Sequence, residues 1–388
     1  MAGGMIRREI TAAASLALAL AALLADDRRA QGAGFDVESF KPAATRTGYL
    51  CEESARTLPA GALEARLAFG YTHRPLVLRS QVDGGVAGDI VARRSTGYVG
   101  ASYGVTDRID VGFRLPVVLA QFGDVAVDWT NSGAVPQRPA VRALGDLDVM
   151  ARVRLAGMTD RPGMRLTLSA PLGLPIGDTD ALVGTGGVSF RPRLIAGWES
   201  PRLSVGVSAG YEFRRRTQVP GSTFVVGQAI GAGAGVAFLA VPQPVGFIEA
   251  VAVLAEVSAS VGLEQPESGL PAFPAQALVG MRAGLPQRFV VQLGVGSGLN
   301  QAAGSPRFRA LATLAWTWEK LREAPAPQPP APPKTEPALA APVPPAPAAP
   351  VPPSTVPVPP ATAPAPPPEA PKRRPRDASP KKPNRPPR

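Results

Sequence analysis

Apolar and polar residues alternate with a period of two through most of residues 62–320. Between Ile109 and Leu115, for example, every odd position is apolar, while Asp110 and Arg114 lie between them. This period belongs to β-strands with two different faces. It fits a soluble sandwich whose apolar face points into a protein core. It fits equally an outer-membrane barrel whose apolar face points to lipid.

The connections between the alternating segments distinguish these two folds. Twelve segments can be drawn: residues 62–73, 94–104, 109–119, 143–156, 164–174, 188–198, 202–214, 224–240, 246–261, 275–285, 288–299 and 306–318. Short turns follow the even-numbered segments, and longer connections follow the odd-numbered ones. Short turns at one end and long loops at the other are typical of outer-membrane barrels and not of Greek-key sandwiches. We therefore predict an all-β fold, a transmembrane antiparallel β-barrel of about twelve strands over residues 62–320.

The two ends of the chain differ in composition from the predicted barrel. Residues 1–32 have a charged, apolar and small-residue order that predicts a signal peptide, cleaved after Ala25 or Gly32. Residues 33–61 would then be a periplasmic lead-in segment. More than half of the 46 prolines follow Glu323, so residues 321–388 are predicted to be a disordered, periplasmic Pro/Ala-rich tail.

The formal charge of +11 is concentrated in that tail. Its basic end predicts contact with an anionic envelope polymer such as peptidoglycan, and a solvated end without a partner is the alternative. The residues proposed for this contact are Lys372, Arg373, Arg374, Arg376, Lys381 and Lys382. The tail and the rest of the chain carry about equal excess charge, although the tail is much shorter. Because the chain is predicted to be exported, outer-membrane lipid is the expected partner of the barrel and nucleic acid is not.

The inward face of the predicted barrel is rich in arginine. The predicted lumen-lining residues are Arg66, Arg114, Arg152, Arg154, Arg165, Arg191, Arg193, Arg214, Arg282, Glu64, Asp110, Asp146, Asp148 and Glu212. Charges of both signs in one confined wall should pair. The remaining arginine excess predicts either a water-filled passage with a mild preference for anions, or residues that fill and staple the interior.

Catalytic and metal chemistry has few candidate residues. The chain has one cysteine, Cys51, and one histidine, His73. No disulfide, metal site or cofactor is therefore expected. Some twelve-stranded barrels are phospholipases that use a histidine and a serine, and His73 lies at the loop end of the first strand. No nucleophile motif accompanies it, so we expect that the protein is not an enzyme.

Three segments resemble a known family. They are "GFDVESFKPAATRTGYLCEESARTLPAGALEARLAFGYTHRPLVL", "YGVTDRIDVGFRLPVVLAQ", and "LGDLDVMARVRL" with the following "SAPLGLPIGDTDALVGTGGVSFRPRL". Together they are similar to the N-terminal barrel region of OmpA-family outer-membrane proteins of myxobacteria and related proteobacteria. In that family a proline-rich linker leads to a globular peptidoglycan-binding domain. This sequence has the linker and no βα pattern after it.

These features predict a passive protein of the Gram-negative outer membrane. Its expected role is structural support of the envelope, passage of small solutes with a mild preference for anions, or both. One alternative is a secreted, soluble β-sandwich that binds a partner at the surface. Another is an outer-membrane lipid hydrolase that uses His73. The oligomeric state is left open.

Overall fold

The computed structural model describes residues 34–79, 85–124, 141–158, 161–179, 181–218, 225–264 and 273–318. The predicted signal peptide lies outside these ranges, as does the predicted tail with the six basic residues proposed for polymer contact. In the described part of the chain no helix is long and apolar enough to span a membrane.

Twelve long strands in the described residues form one closed antiparallel sheet. They are β1 (Leu63–Arg79), β2 (Val86–Gly104), β3 (Ile109–Phe122), β4 (Leu147–Ala156), β5 (Gly163–Leu174), β6 (Arg193–Glu199), β7 (Leu203–Glu212), β8 (Ala229–Val241), β9 (Ala250–Gly262), β10 (Ala275–Leu285), β11 (Phe289–Gly298) and β12 (Phe308–Trp318). Each strand pairs with the next along the chain. β12 pairs with β1, from Leu63 opposite Trp318 to His73 opposite Phe308, and so closes the barrel. The predicted fold class is confirmed.

The period-2 alternation sorts side chains between the outside and the inside of this barrel. In β1, Leu67 is 56% exposed and Phe69 is 43% exposed, whereas Glu64 and Arg66, on the other face, are buried. In β3, Val111 and Phe113 are exposed and Asp110 is buried. The outer face is therefore an apolar surface suited to lipid, as predicted, and the charges face inward.

Several predicted boundaries were wrong. Residues 74–93 were predicted as a long loop, but β1 extends to Arg79 and β2 begins at Val86. The hairpin of β1 and β2 continues beyond His73, the last residue of β1 that pairs with β12. Register shifts occur in this extension, and an ion pair of 2.8 Å between Arg74 and Asp89 joins its two strands. The turn after β8 is also longer than predicted, because β9 begins only at Ala250.

Three predicted strands are interrupted near the end that carries the long connections. Short strands Ala143–Leu144, Ser189–Phe190 and Val225–Val226 precede β4, β6 and β8, and Val225–Val226 pairs with Thr217–Gln218. Pro192 stands at one break, where its missing N–H cannot join a ladder. At another break, a Cβ on Gly145 would lie 2.6 Å from Pro116 Cγ. At the other end of the barrel the turns are short, and one contains the 3-10 turn Pro286–Arg288.

Residues 34–61, called the plug segment below, lie inside the barrel. Near its start, the Val37 N–H donates to Leu182 O (3.2 Å) in the long connection after β5. Near its end, the Ala60 N–H donates to the Asp107 carboxylate (3.1 Å) in the short turn after β2. The segment forms no strand or helix and passes through the lumen.

The sequence predicts a periplasmic lead-in segment over residues 33–61, and the structure places residues 34–61 in the lumen. The physical reason is that twelve strands enclose more space than their own inward side chains fill.

Candidate functional site

The structure places all fourteen predicted lumen-lining residues on the inner side of the wall. Eight are buried: Glu64, Arg66, Asp110, Asp146, Asp148, Arg152, Arg154 and Arg165. The others are half-buried: Arg114, Arg191, Arg193, Glu212, Arg214 and Arg282.

Two groups of these residues pair across neighbouring strands. Arg152 donates from Nε and Nη2 to the two oxygens of Asp110, at 2.8 and 2.7 Å. Asp148 accepts from Arg114 Nη2 at 2.9 Å and also from Arg191. Two-point pairing of this kind satisfies both buried charges and fixes their geometry.

Three other predicted residues, Arg165, Arg154 and Asp146, brace connections between strands. Arg165 donates to the carbonyls of Met158 and Arg161 in the turn that precedes its own strand. Arg154 donates to the Asp107 carbonyl at 2.7 Å. Asp146 accepts from the Thr185 N–H and hydroxyl at 2.7 and 2.6 Å and so holds the long connection after β5.

Four acids of the plug segment approach arginines of the wall. Their closest N–O distances are 2.7 Å for Glu38–Arg309, 3.2 Å for Glu52–Arg193, 3.7 Å for Asp36–Arg94 and 3.7 Å for Glu53–Arg152. In the opposite sense, Lys41, Arg46 and Arg56 of the plug segment approach Asp148, Glu64 and Glu199 of the wall. The arginine excess of the wall is thus opposed by carboxylates that the plug segment brings into the lumen.

Glu256, on β9, holds the middle of the plug segment. Its carboxylate accepts the backbone N–H groups of Leu50 (2.8 Å), Cys51 (2.9 Å) and Glu52 (3.0 Å). All of these hydrogen bonds are buried. A carboxylate that binds successive N–H groups satisfies donors that an irregular segment cannot satisfy within itself.

Inward glycines make room for the plug segment. Gly206 and Gly235 lie opposite each other on β7 and β8, and the Tyr49 ring packs against both. A Cβ on Gly235 would lie 2.5 Å from Tyr49 Cγ, and one on Gly206 would lie 2.8 Å from Tyr49 Oη. The wall is therefore shaped to this one side chain, since a methyl group at either position would overlap it.

An apolar cluster forms around the same part of the plug segment. It joins plug residues to inward residues of four strands: Phe40, Tyr49, Leu50, Cys51, Ala237, Leu254, Leu278 and Leu311. Burial of a leucine or phenylalanine side chain of this cluster contributes roughly 1.5–3 kcal/mol relative to full exposure. The plug segment is thus packed as well as ion-paired.

A cavity of about 220 Å³ remains between the plug segment and the wall, toward the end with the long connections. Phe35 and Phe40 of the plug segment line it together with Arg191, Arg193 and Arg214 of the wall. In the described residues, no group of three or more His, Cys, Asp or Glu side chains could hold a metal ion.

The predicted set omits several inward residues of the wall, among them Arg94, Glu256 and Arg309. Strand alternation could have identified each, because inward positions are fixed once the outward ones are assigned. The acids of the plug segment carried no such signal, since this segment has no period.

Comparison with known proteins supports the fold. No family model matches the sequence, and no curated protein matches it. Among solved structures, an outer membrane channel from Pseudomonas putida F1 is 15% identical with a TM-score of 0.50, covering 68% of this chain and 98% of that chain. The NanC porin is 8% identical with a TM-score of 0.40, covering 67% and 100%. LpxR from Salmonella typhimurium is 12% identical with a TM-score of 0.37, covering 65% and 99%. At 15% identity the likeness to the Pseudomonas putida channel shows the barrel fold alone.

Proposed function

We propose that the protein forms a passage for small solutes across the outer membrane, and that the plug segment is the gate of this passage. The observation that carries the proposal is the set of polar contacts between the plug segment and the wall. Permanent filling of the barrel does not require charged contacts, because buried ion pairs add little stability over well-packed apolar side chains. A wall that keeps its charges suits a lumen that fills with water when the segment leaves.

The gate proposal also fits the architecture of the plug segment. It has no secondary structure of its own, and its end continues directly into β1 at Leu63. Its charged contacts can be exchanged for water and ions as it moves. When the segment is displaced, the wall loses contact with four carboxylates and three cationic side chains. The arginine excess of the wall itself should then make the open lumen prefer anions.

Planar-bilayer conductance tests the proposal. We expect the wild type to be mostly silent and Gly235→Ala to conduct, because the new methyl group overlaps Tyr49. Gly231→Ala is the matched control on the same strand and face, since a Cβ there would be 3.8 Å from its nearest neighbours. Equal conductance in wild type and Gly235→Ala would contradict a gating role for the segment.

A structural envelope role is the second candidate, and the two-point Asp110–Arg152 pair favours it. A barrel whose lumen is packed by its own chain can serve as a rigid component of the membrane without conducting. A purely structural role predicts that Gly235→Ala shows no conductance even when the plug segment has left the lumen.

We further propose that the short-turn end faces the periplasm and that transport is the activity of this barrel. In support of transport, the His73 side chain makes no hydrogen bond to a serine or an acid among the described residues. Loss of an esterase activity in His73→Ala would contradict it. Membership of the OmpA family and contact of the basic tail with peptidoglycan also stay proposals, resting on the quoted segments and on charge.

A further inference from the structure

The carboxylate of Glu52 lies in a recess made by four strands of the wall. Its Oε2 accepts from Ser208 Oγ on β7 (2.7 Å) and from Arg193 Nη1 on β6 (3.2 Å). Its Oε1 accepts from Ser258 Oγ on β9 (2.6 Å). On β8, between these strands, a Cβ on Gly233 would lie 2.6 Å from Oε2. Three donors and a missing side chain thus surround one carboxylate.

The geometry of this recess fits a planar, two-oxygen group. Both oxygens are engaged, and Glu52, Ser208 and Ser258 are all buried. The backbone of Gly233 closes one side. A tetrahedral phosphate would have to place a further oxygen against this close side or among the serine hydroxyls. The recess therefore favours a carboxylate over a phosphate.

The recess adjoins the cavity between the plug segment and the wall. The Arg193 side chain is 33% exposed and lines this cavity together with Arg214. The Arg214 side chain is 9% exposed, and its Nε and Nη2 have no hydrogen-bond partner among the described residues. The nearest acid is Glu212, at 3.7 Å. A buried guanidinium with unsatisfied donors is most stable when an anion reaches it.

We infer that Arg193, Ser208 and Ser258 form a recognition site for the carboxylate of a passing solute, and that Glu52 occupies this site as an internal mimic. The inference rests on the proposed passage function and adds its solute class, small monocarboxylic acids. Phe35 and Phe40 provide apolar cavity walls for the body of such a solute. The volume of about 220 Å³ is below the roughly 300–1,000 Å³ of drug-sized sites, so the body is small.

The test uses the full-length chain in detergent and isothermal titration calorimetry with sodium benzoate. Glu52→Ala vacates the recess, so benzoate should bind this variant roughly tenfold or more tightly than it binds wild type, where Glu52 competes from the same chain. Benzamide, which has the same shape and no charge, is the matched probe and should bind more weakly. Arg193→Gln added to Glu52→Ala should abolish the preference for benzoate over benzamide.

Ser258→Ala added to Glu52→Ala is a milder second variant, in which affinity for benzoate should fall by roughly tenfold. Equal affinity of wild type and Glu52→Ala for benzoate, or no preference over benzamide, would overturn the inference. Inorganic phosphate binding as tightly as benzoate would overturn the carboxylate assignment.

Failure of the gate proposal would look different. Benzoate binding to Glu52→Ala without any conductance in Gly235→Ala would leave the recess in place and remove the passage. Conductance in Gly235→Ala without benzoate binding to Glu52→Ala would support the passage and remove the recognition site.

Discussion

Removal of the Glu256 carboxylate should release the plug segment. In Glu256→Ala the N–H groups of Leu50, Cys51 and Glu52 lose an acceptor that lies 2.8–3.0 Å away. A buried donor without a partner costs about 1–3 kcal/mol, and the three losses are not additive because water can fill part of the space. We take about 3 kcal/mol in total, which corresponds to a roughly 150-fold larger open population.

Cys51 provides the assay, because it is the only cysteine in the chain and is buried at 7% exposure. Its alkylation by a small maleimide requires that the plug segment opens, so the labelling rate follows the open population when reclosing is fast. We expect the rate in folded Glu256→Ala to rise roughly 150-fold over wild type.

Two further variants separate the causes of that increase. Glu256→Gln removes the same negative charge from beside Cys51 but keeps one oxygen acceptor, so its rate should rise much less. Glu249→Ala removes an exposed carboxylate just before the same strand and should leave the rate unchanged. Equal rates in Glu256→Ala and wild type, or in Glu256→Ala and Glu256→Gln, would refute the assigned role of these hydrogen bonds.

Two more predictions concern the wall. Asp110→Ala leaves Arg152 without its two-point partner, and loss of one member of such a buried pair costs about 3–5 kcal/mol. The band shift that marks unfolding of the barrel on a gel should therefore occur at a lower heating temperature than in Glu249→Ala. An unchanged temperature would contradict this prediction. In the Gly235→Ala channel, Arg191→Gln together with Arg193→Gln should lower the permeability ratio of chloride to potassium, measured from the reversal potential in a salt gradient, and an unchanged ratio would count against the predicted selectivity role of these arginines.

The barrel could be predicted from the sequence because its outer face meets one uniform solvent. Lipid demands an apolar residue at every second position, and this demand is visible without any partner in β1 and β3. Strand ends were less predictable. The extension of the first hairpin is held by a specific contact between Arg74 and Asp89 and not by the alternation that lipid requires.

The contents of the lumen could not be predicted in the same way. Leu50 and Glu52 bind Glu256, which lies about 200 residues further along the chain. An irregular segment has no sequence period from which such partners could be predicted. Two indirect signals were present. The wall had more arginines than acids, and β8 has the inward positions Gly231, Gly233 and Gly235, whose lack of side chains indicates that another part of the chain approaches closely.

A reversible cross-link between the plug segment and the wall tests whether the plug segment lies in the lumen and closes it. The Cys51 thiol lies beside the Gln276 side chain of β10, so Gln276→Cys should allow an oxidant to form a disulfide with Cys51. In the combined variant Gly235→Ala, Gln276→Cys, we predict a silent bilayer after oxidation and conductance after reduction. With the disulfide formed in the folded barrel, the same conductance in both redox states would contradict closure of the lumen by the plug segment.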